Sequence, residues 1–177
     1  MAVQNNYQLL IQKLDEFIRK YYVNRLLKGS LYSIGLILGL FLAGSLLEYF
    51  FYFGTTSRKI LVFSFVGTSA LALGYWVRDP LLRYFRLGKA ISHEQAAVII
   101  GDHFAGVKDK LLNILQLKQQ SEQSGETELI LAGINQKTEE IRLLPFKSAI
   151  NLNQNKKYLR YALPPVLVLL VLLLAAP

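Results

Sequence analysis

Glu48 is the one charged side chain inside residues 31–53, a run that is otherwise apolar. An ionised carboxylate within a bilayer is costly, and proton or cation transfer is the chemistry that most often retains one there. Helical rise places Glu48 about 7 Å from the C-terminal end of the run. At that depth its side chain can instead reach the headgroups or pair with Arg58 or Lys59. Three roles therefore stand: an interfacial ion pair, a contact with a partner, and transport chemistry.

The other residue types able to do chemistry are sparse. His93 and His103 are the two histidines, with Glu94 beside the first and Asp102 beside the second. A metal centre needs three or four convergent ligands, and this spacing supplies no such set. The pattern fits polar residues on a capped helix better. The chain has no cysteine, which excludes disulfides and thiolate ligands. Gly35, Gly39 and Gly44 lie inside the apolar run rather than in a phosphate-cradling loop, and no serine sits in a nucleophile elbow. No enzymatic activity and no cofactor are expected.

The elements that would position Glu48 are two apolar runs, residues 31–53 and 60–77, joined by the short connector 54–59. As helices rising about 1.5 Å per residue, each matches or nearly matches the roughly 30 Å hydrocarbon core of a bilayer. The short connector makes them antiparallel neighbours, a transmembrane hairpin. Gly35, Gly39 and Ala43 recur at four-residue steps in the first run. Ser64, Gly67, Ala70 and Gly74 form a similar small-residue stripe in the second. Small residues let helices approach closely in lipid, so Gly35, Gly39, Ala43, Gly67 and Gly74 are the expected packing positions, within the hairpin or against a partner or second copy. Tyr49, Phe50, Phe51, Tyr52 and Phe53 at one end, and Tyr75 and Trp76 at the other, suit the two membrane–water interfaces.

Composition agrees. Hydrophobic residues make up 53% of the 177, charged ones only 18%, against about a quarter charged in soluble domains, and the mean hydropathy is +0.31. The net charge of +8 could suggest nucleic acid, but its placement argues against that. Lys13, Arg19, Lys20, Arg25 and Lys28 precede the first run, Arg78, Arg83, Arg86 and Lys89 follow the second, and Lys156, Lys157 and Arg160 precede a third apolar stretch. Cations so placed meet anionic lipid headgroups and set orientation. Positive-inside counting puts the N-terminus and residues 78–160 in the cytoplasm and the connector outside.

Before the hairpin, residues 1–30 form an amphipathic juxtamembrane segment. Tyr7, Leu10, Ile11, Leu14, Phe17, Ile18, Tyr21 and Tyr22 follow a helical period. This face can lie in the headgroup zone or pack on the protein's own polar part, with Gly29-Ser30 as a hinge. Residues 78–157 read as a small helical cytoplasmic insert. Ser92 and Gln95 match a capping box, Gly106 is a helix break, residues 107–117 form the next helix, 118–126 a polar loop, and 127–144 a last helix ended by Pro145. The third apolar segment, residues 158–177, holds Pro164-Pro165, tolerable only near a helix start. The stretch after them is too short to cross a bilayer, which suggests a truncated span continuing into a larger protein.

Residues 91–104, ISHEQAAVIIGDHF, continuing through 107–117, VKDKLLNILQL, resemble the juxtamembrane segment of large bacterial envelope proteins. The resemblance would cover the whole chain. It implies two N-terminal spans, a helical cytoplasmic insert, a third span and a long coiled-coil-like extracytoplasmic region, in an inner-membrane setting. It supplies no activity and no functional residues. The expected protein is therefore all-α and integral to the membrane: a non-enzymatic anchor or scaffold whose partners are the anionic bilayer and a protein partner or second copy. A transport or channel subunit built on Glu48 is the alternative.

Overall fold

Apolar periodicity and apolar length both become helix in the computed structural model, which describes residues 2–85, 87, 90–124, 127–141 and 143–175. Seven α-helices and no strand occur among these residues: α1 (Ala2–Phe51), α2 (Thr55–Leu73), α3 (Asp79–Tyr84), α4 (His93–His103), α5 (Val107–Ser124), α6 (Thr127–Ile141) and α7 (Leu159–Ala175). Three helical stretches, Asn6–Phe51, Thr55–Tyr84 and Phe146–Ala175, are long and apolar enough to cross a membrane. The chain divides into two units, residues 1–21 with 89–151, and residues 22–88 with 152–177.

In the first unit the apolar face of α1 meets the insert helices. Leu14 and Phe17 are fully buried together with Ile100, Leu111, Ile114 and Ile134. Polar contacts fix the same segment: Asp15 lies 3.0 Å from His93, Glu16 is 3.0 Å from Lys147, and the Lys20 ammonium donates to the Lys147 carbonyl at 2.7 Å. The Asn6 amide donates to Asn135. Of the two expectations for this face, a headgroup layer or the protein's own polar part, the burial corresponds to the second. Residues 1–21 cluster with residues 89–151 in this unit.

The expected capping box opens α4, with the Ser92 hydroxyl accepting from the Gln95 N–H at 3.2 Å and the Gln95 side chain accepting from the Ser92 N–H at 3.1 Å. Gly106, at φ +76°, supplies the left-handed turn before α5 that glycine adopts without penalty. The expected loop at 118–126 is helical as far as Ser124; Gly125 and Glu126 lie outside the described residues. Within this helix the buried Ser121 hydroxyl donates back to the Lys118 carbonyl at 2.8 Å.

In the second unit α1 and α2 run antiparallel. The connector is three residues, 52–54, rather than six. Tyr52, at φ 46°, ends α1 in the left-handed region and donates its N–H to the Glu48 carbonyl at 3.0 Å. α2 continues through a π-helical turn, Gly74–Arg78, into α3. The cause is Pro80, which has no N–H for the Trp76 carbonyl and whose ring would strike that carbonyl in a regular helix. The expected Gly29-Ser30 hinge is absent, since α1 passes through both residues as helix.

α7 lies beside α1 and parallel to it. Asn155 donates to Asn24 at 2.6 Å, and further along Tyr32 packs against Tyr158 and Tyr161 with ring centroids 5.1 and 5.7 Å apart. Pro164 and Pro165 sit inside α7 rather than at its start; the 3-10 segment Leu152–Tyr158 precedes the helix. The chain thus leaves α3 and re-enters α7 at one end of the three-helix group.

Candidate functional site

The polar end of the hairpin is set by its register. Glu48 is 2.6 Å from Arg58, Phe41 packs against Phe65 with centroids 6.4 Å apart, and Gly44 faces Leu61. These pairs step in opposite directions along α1 and α2, as an antiparallel pair requires. Glu48 and Arg58 sit at the mouth of a groove of about 430 Å³ walled by Leu40, Phe41, Leu61 and Phe65. A second groove of about 430 Å³ lies on the other face, where Ala43 is a lining residue.

The two side chains form a partly exposed ion pair. The contact with Arg58 is one of the pairings expected for Glu48.

The expected packing glycines separate. At Gly35 an added Cβ would lie 2.6 Å from the backbone oxygen of Tyr161, so Gly35 packs against α7 and not within the hairpin. A Cβ at Gly39, Gly67 or Gly74 meets nothing within 4 Å, and these three lie open. In the second unit two tight glycines lie outside the four-residue pattern. Gly44 would bring a Cβ to 3.0 Å from a Leu61 methyl, and Gly29 is pressed onto the Trp76 carbonyl.

Gly29 and Gly35 share one cause. Trp76 and Tyr161 each stand four residues before a proline, Pro80 and Pro165, so each carbonyl lacks its regular helical donor. The exposed oxygen is covered by a glycine Cα of α1, a close approach at which Cα–H···O contacts contribute modestly. The signal for both contacts is present in the sequence as a proline inside each apolar helix.

The histidines lie in the first unit. His93 contacts Asp15 through its ring nitrogen, and the exposed His103 ring packs edge-on against Phe104 with centroids 4.9 Å apart. Among the described residues no group of three or more His, Cys, Asp or Glu side chains is placed to hold a metal ion. No family model, curated protein or solved structure matches the chain.

Proposed function

We propose that the chain is a non-enzymatic membrane anchor and scaffold, set in a bacterial inner membrane as its resemblance to large envelope proteins implies. One observation carries the reading. The Glu48–Arg58 pair and the Gly29–Trp76 crossing are separated by about 28 Å of helical rise along α1. That is close to the thickness of a bilayer's hydrocarbon core, roughly 30 Å. Between those two levels α1, α2 and α7 present apolar surface, with Phe63, Val66, Leu71, Leu167 and Val171 largely exposed, as side chains facing lipid tails are. Beyond the second level come Arg25, Lys28, Arg78 and Lys157, with Trp76 at that level and Tyr32 one helical turn inside it.

The basic end faces the cytoplasm by the positive-inside rule, and the connector at 52–54 faces outward. The insert then lies on the cytoplasmic side, because α3 ends and α7 begins at the basic end. Scaffolding is the remaining work for such a module: the helices hold position, and a protein partner or second copy meets its polar faces. The test is topological. An accessibility tag at Thr56 is labelled from outside intact cells, a tag in the insert is not, and the chain stays in the pellet after alkaline carbonate. Labelling of Thr56 from the cytosol, or carbonate release, removes the proposal.

A further inference from the structure

A notch opens at the basic end of the hairpin, between α1 and the π-helical turn that follows α2. Its volume is about 240 Å³, and Arg25, Lys28, Gly29, Tyr32, Tyr75 and Trp76 line it. We propose that it binds the phosphate of one anionic phospholipid headgroup; the proposal rests on the anchor reading and deepens it to a single site.

Charge comes first. Arg25 and Lys28 are one helical turn apart and so project from the same side of α1. Among the described residues no acidic side chain lines the notch, and neither cation forms an ion pair with a carboxylate. A guanidinium and an ammonium lining one small space are the donors that phosphate oxygens take, and the Lys28 ammonium also stands 4.9 Å from the Tyr158 ring centroid.

Shape and depth complete the argument. The volume is below the roughly 300–1,000 Å³ of sites that enclose whole small molecules, and suits a headgroup whose tails remain outside. The walls are rings: Tyr32 packs on Trp76 with centroids 5.7 Å apart, and the π-helical turn imposed by Pro80 sets the direction of Tyr75 and Trp76. Aromatic rings occupy the interfacial layer where a lipid's glycerol begins. The notch also stands one hydrocarbon thickness from the Glu48–Arg58 level, where the phosphates of the cytoplasmic leaflet lie. Basic pockets between spanning helices on that side are the form that lipid headgroup sites take.

Trp76 is the one tryptophan in the chain, so its fluorescence reports the notch directly. The full chain is reconstituted in phosphatidylcholine vesicles with increasing brominated phosphatidylglycerol, and quenching is compared with brominated phosphatidylcholine. The expected result is preferential quenching by the anionic lipid. That preference falls about 30-fold in the Arg25→Gln/Lys28→Gln double variant, and survives in Arg25→Lys/Lys28→Arg. It also survives in Lys156→Gln/Lys157→Gln, which removes equal charge at the same end but outside the notch. Equal quenching by both lipids overturns the site, as does an equal loss in the Lys156/Lys157 variant, which signals diffuse attraction. Loss of the preference in inorganic phosphate, but not in chloride of matched ionic strength, overturns the lipid assignment in favour of free phosphate. Carbonate extraction of the same vesicles keeps the two readings apart. A retained protein without lipid preference sinks the notch alone, and a released protein sinks the anchor.

Discussion

Gly29 packs its Cα against the carbonyl oxygen of Trp76, the acceptor that Pro80 leaves without its regular helical donor. Gly35 repeats the arrangement with the oxygen of Tyr161, four residues before Pro165. The two contacts lie on α1, one facing α2 and the other α7, so α1 is the helix on which the other two are registered.

Alanine at either position must push two backbones apart, because the atom in the way is a carbonyl oxygen and not the end of a flexible side chain. Gly29→Ala and Gly35→Ala are each expected to destabilise the three-helix group by about 1–3 kcal/mol. Gly39→Ala meets open space and is expected to be neutral, or slightly stabilising through helix propensity of up to ~1 kcal/mol. Thermal unfolding in a mild detergent decides it. Equal melting temperatures for the three variants would refute the glycine–carbonyl account.

The first unit depends on α1 in another way. Leu14 and Phe17 are fully buried, so truncation leaves a cavity rather than a relaxed surface. Leu14→Ala is expected to cost about 2–5 kcal/mol and Phe17→Ala about 3–5 kcal/mol. Leu27→Ala, at a 44% exposed position of the same helix, is expected to cost far less. Limited proteolysis reads the difference as cleavage at 118–141 in the first two variants only. Resistance equal to the parent chain would show that the N-terminal segment is dispensable to the insert.

These cases also separate what local sequence reveals from what it does not. The capping box at Ser92 and Gln95 is legible because both partners lie within one helical turn, and the hairpin is legible because hydrocarbon thickness sets a length that composition alone can match. The packing glycines are not legible from four-residue spacing, since a glycine's partner depends on the register between helices. Gly39 and Gly35 belong to one stripe, yet only Gly35 faces a neighbour. The residues at 118–124 suggest a loop by polarity, whereas a helix with one face turned to water is equally polar. The more informative mark was a proline inside an apolar helix, which names the carbonyl that another helix must cover.

Acid weakens the first unit through two carboxylates. The Ser92 hydroxyl, the Glu94 backbone N–H and the neighbouring His93 hold Glu94 below the usual carboxylate range, and the Lys110 ammonium at 2.6 Å holds Glu140 low. A carboxylate depressed in the folded state contributes stability that is fully present above its unfolded pKa, near 4.3, and is lost as pH falls through the folded value. Stability to denaturant is therefore expected to decline below about pH 4.3, and less steeply in Glu94→Gln/Glu140→Gln. High salt is expected to shrink the Glu140 part, which is exposed and screened. Identical slopes for the variant and the parent would remove both groups from the acid response.

The final expectation concerns Glu48. Its partner Arg58 has a side chain 60% exposed, and Glu48 itself is 34% exposed, so the pair resembles a surface ion pair worth under about 1 kcal/mol. Glu48→Gln, Arg58→Gln and the double variant form a cycle whose coupling is expected to stay below that figure, with melting temperatures shifting by no more than about 2–4 °C. A transport role makes a different demand, since a carboxylate that carries protons or cations cannot be replaced by an amide without loss of flux. Proteoliposomes holding the parent chain and Glu48→Gln are expected to show the same proton and sodium leak. A flux present in the parent and abolished in Glu48→Gln, with the fold intact by circular dichroism, would establish transport and displace the interfacial pair as the reason for this residue.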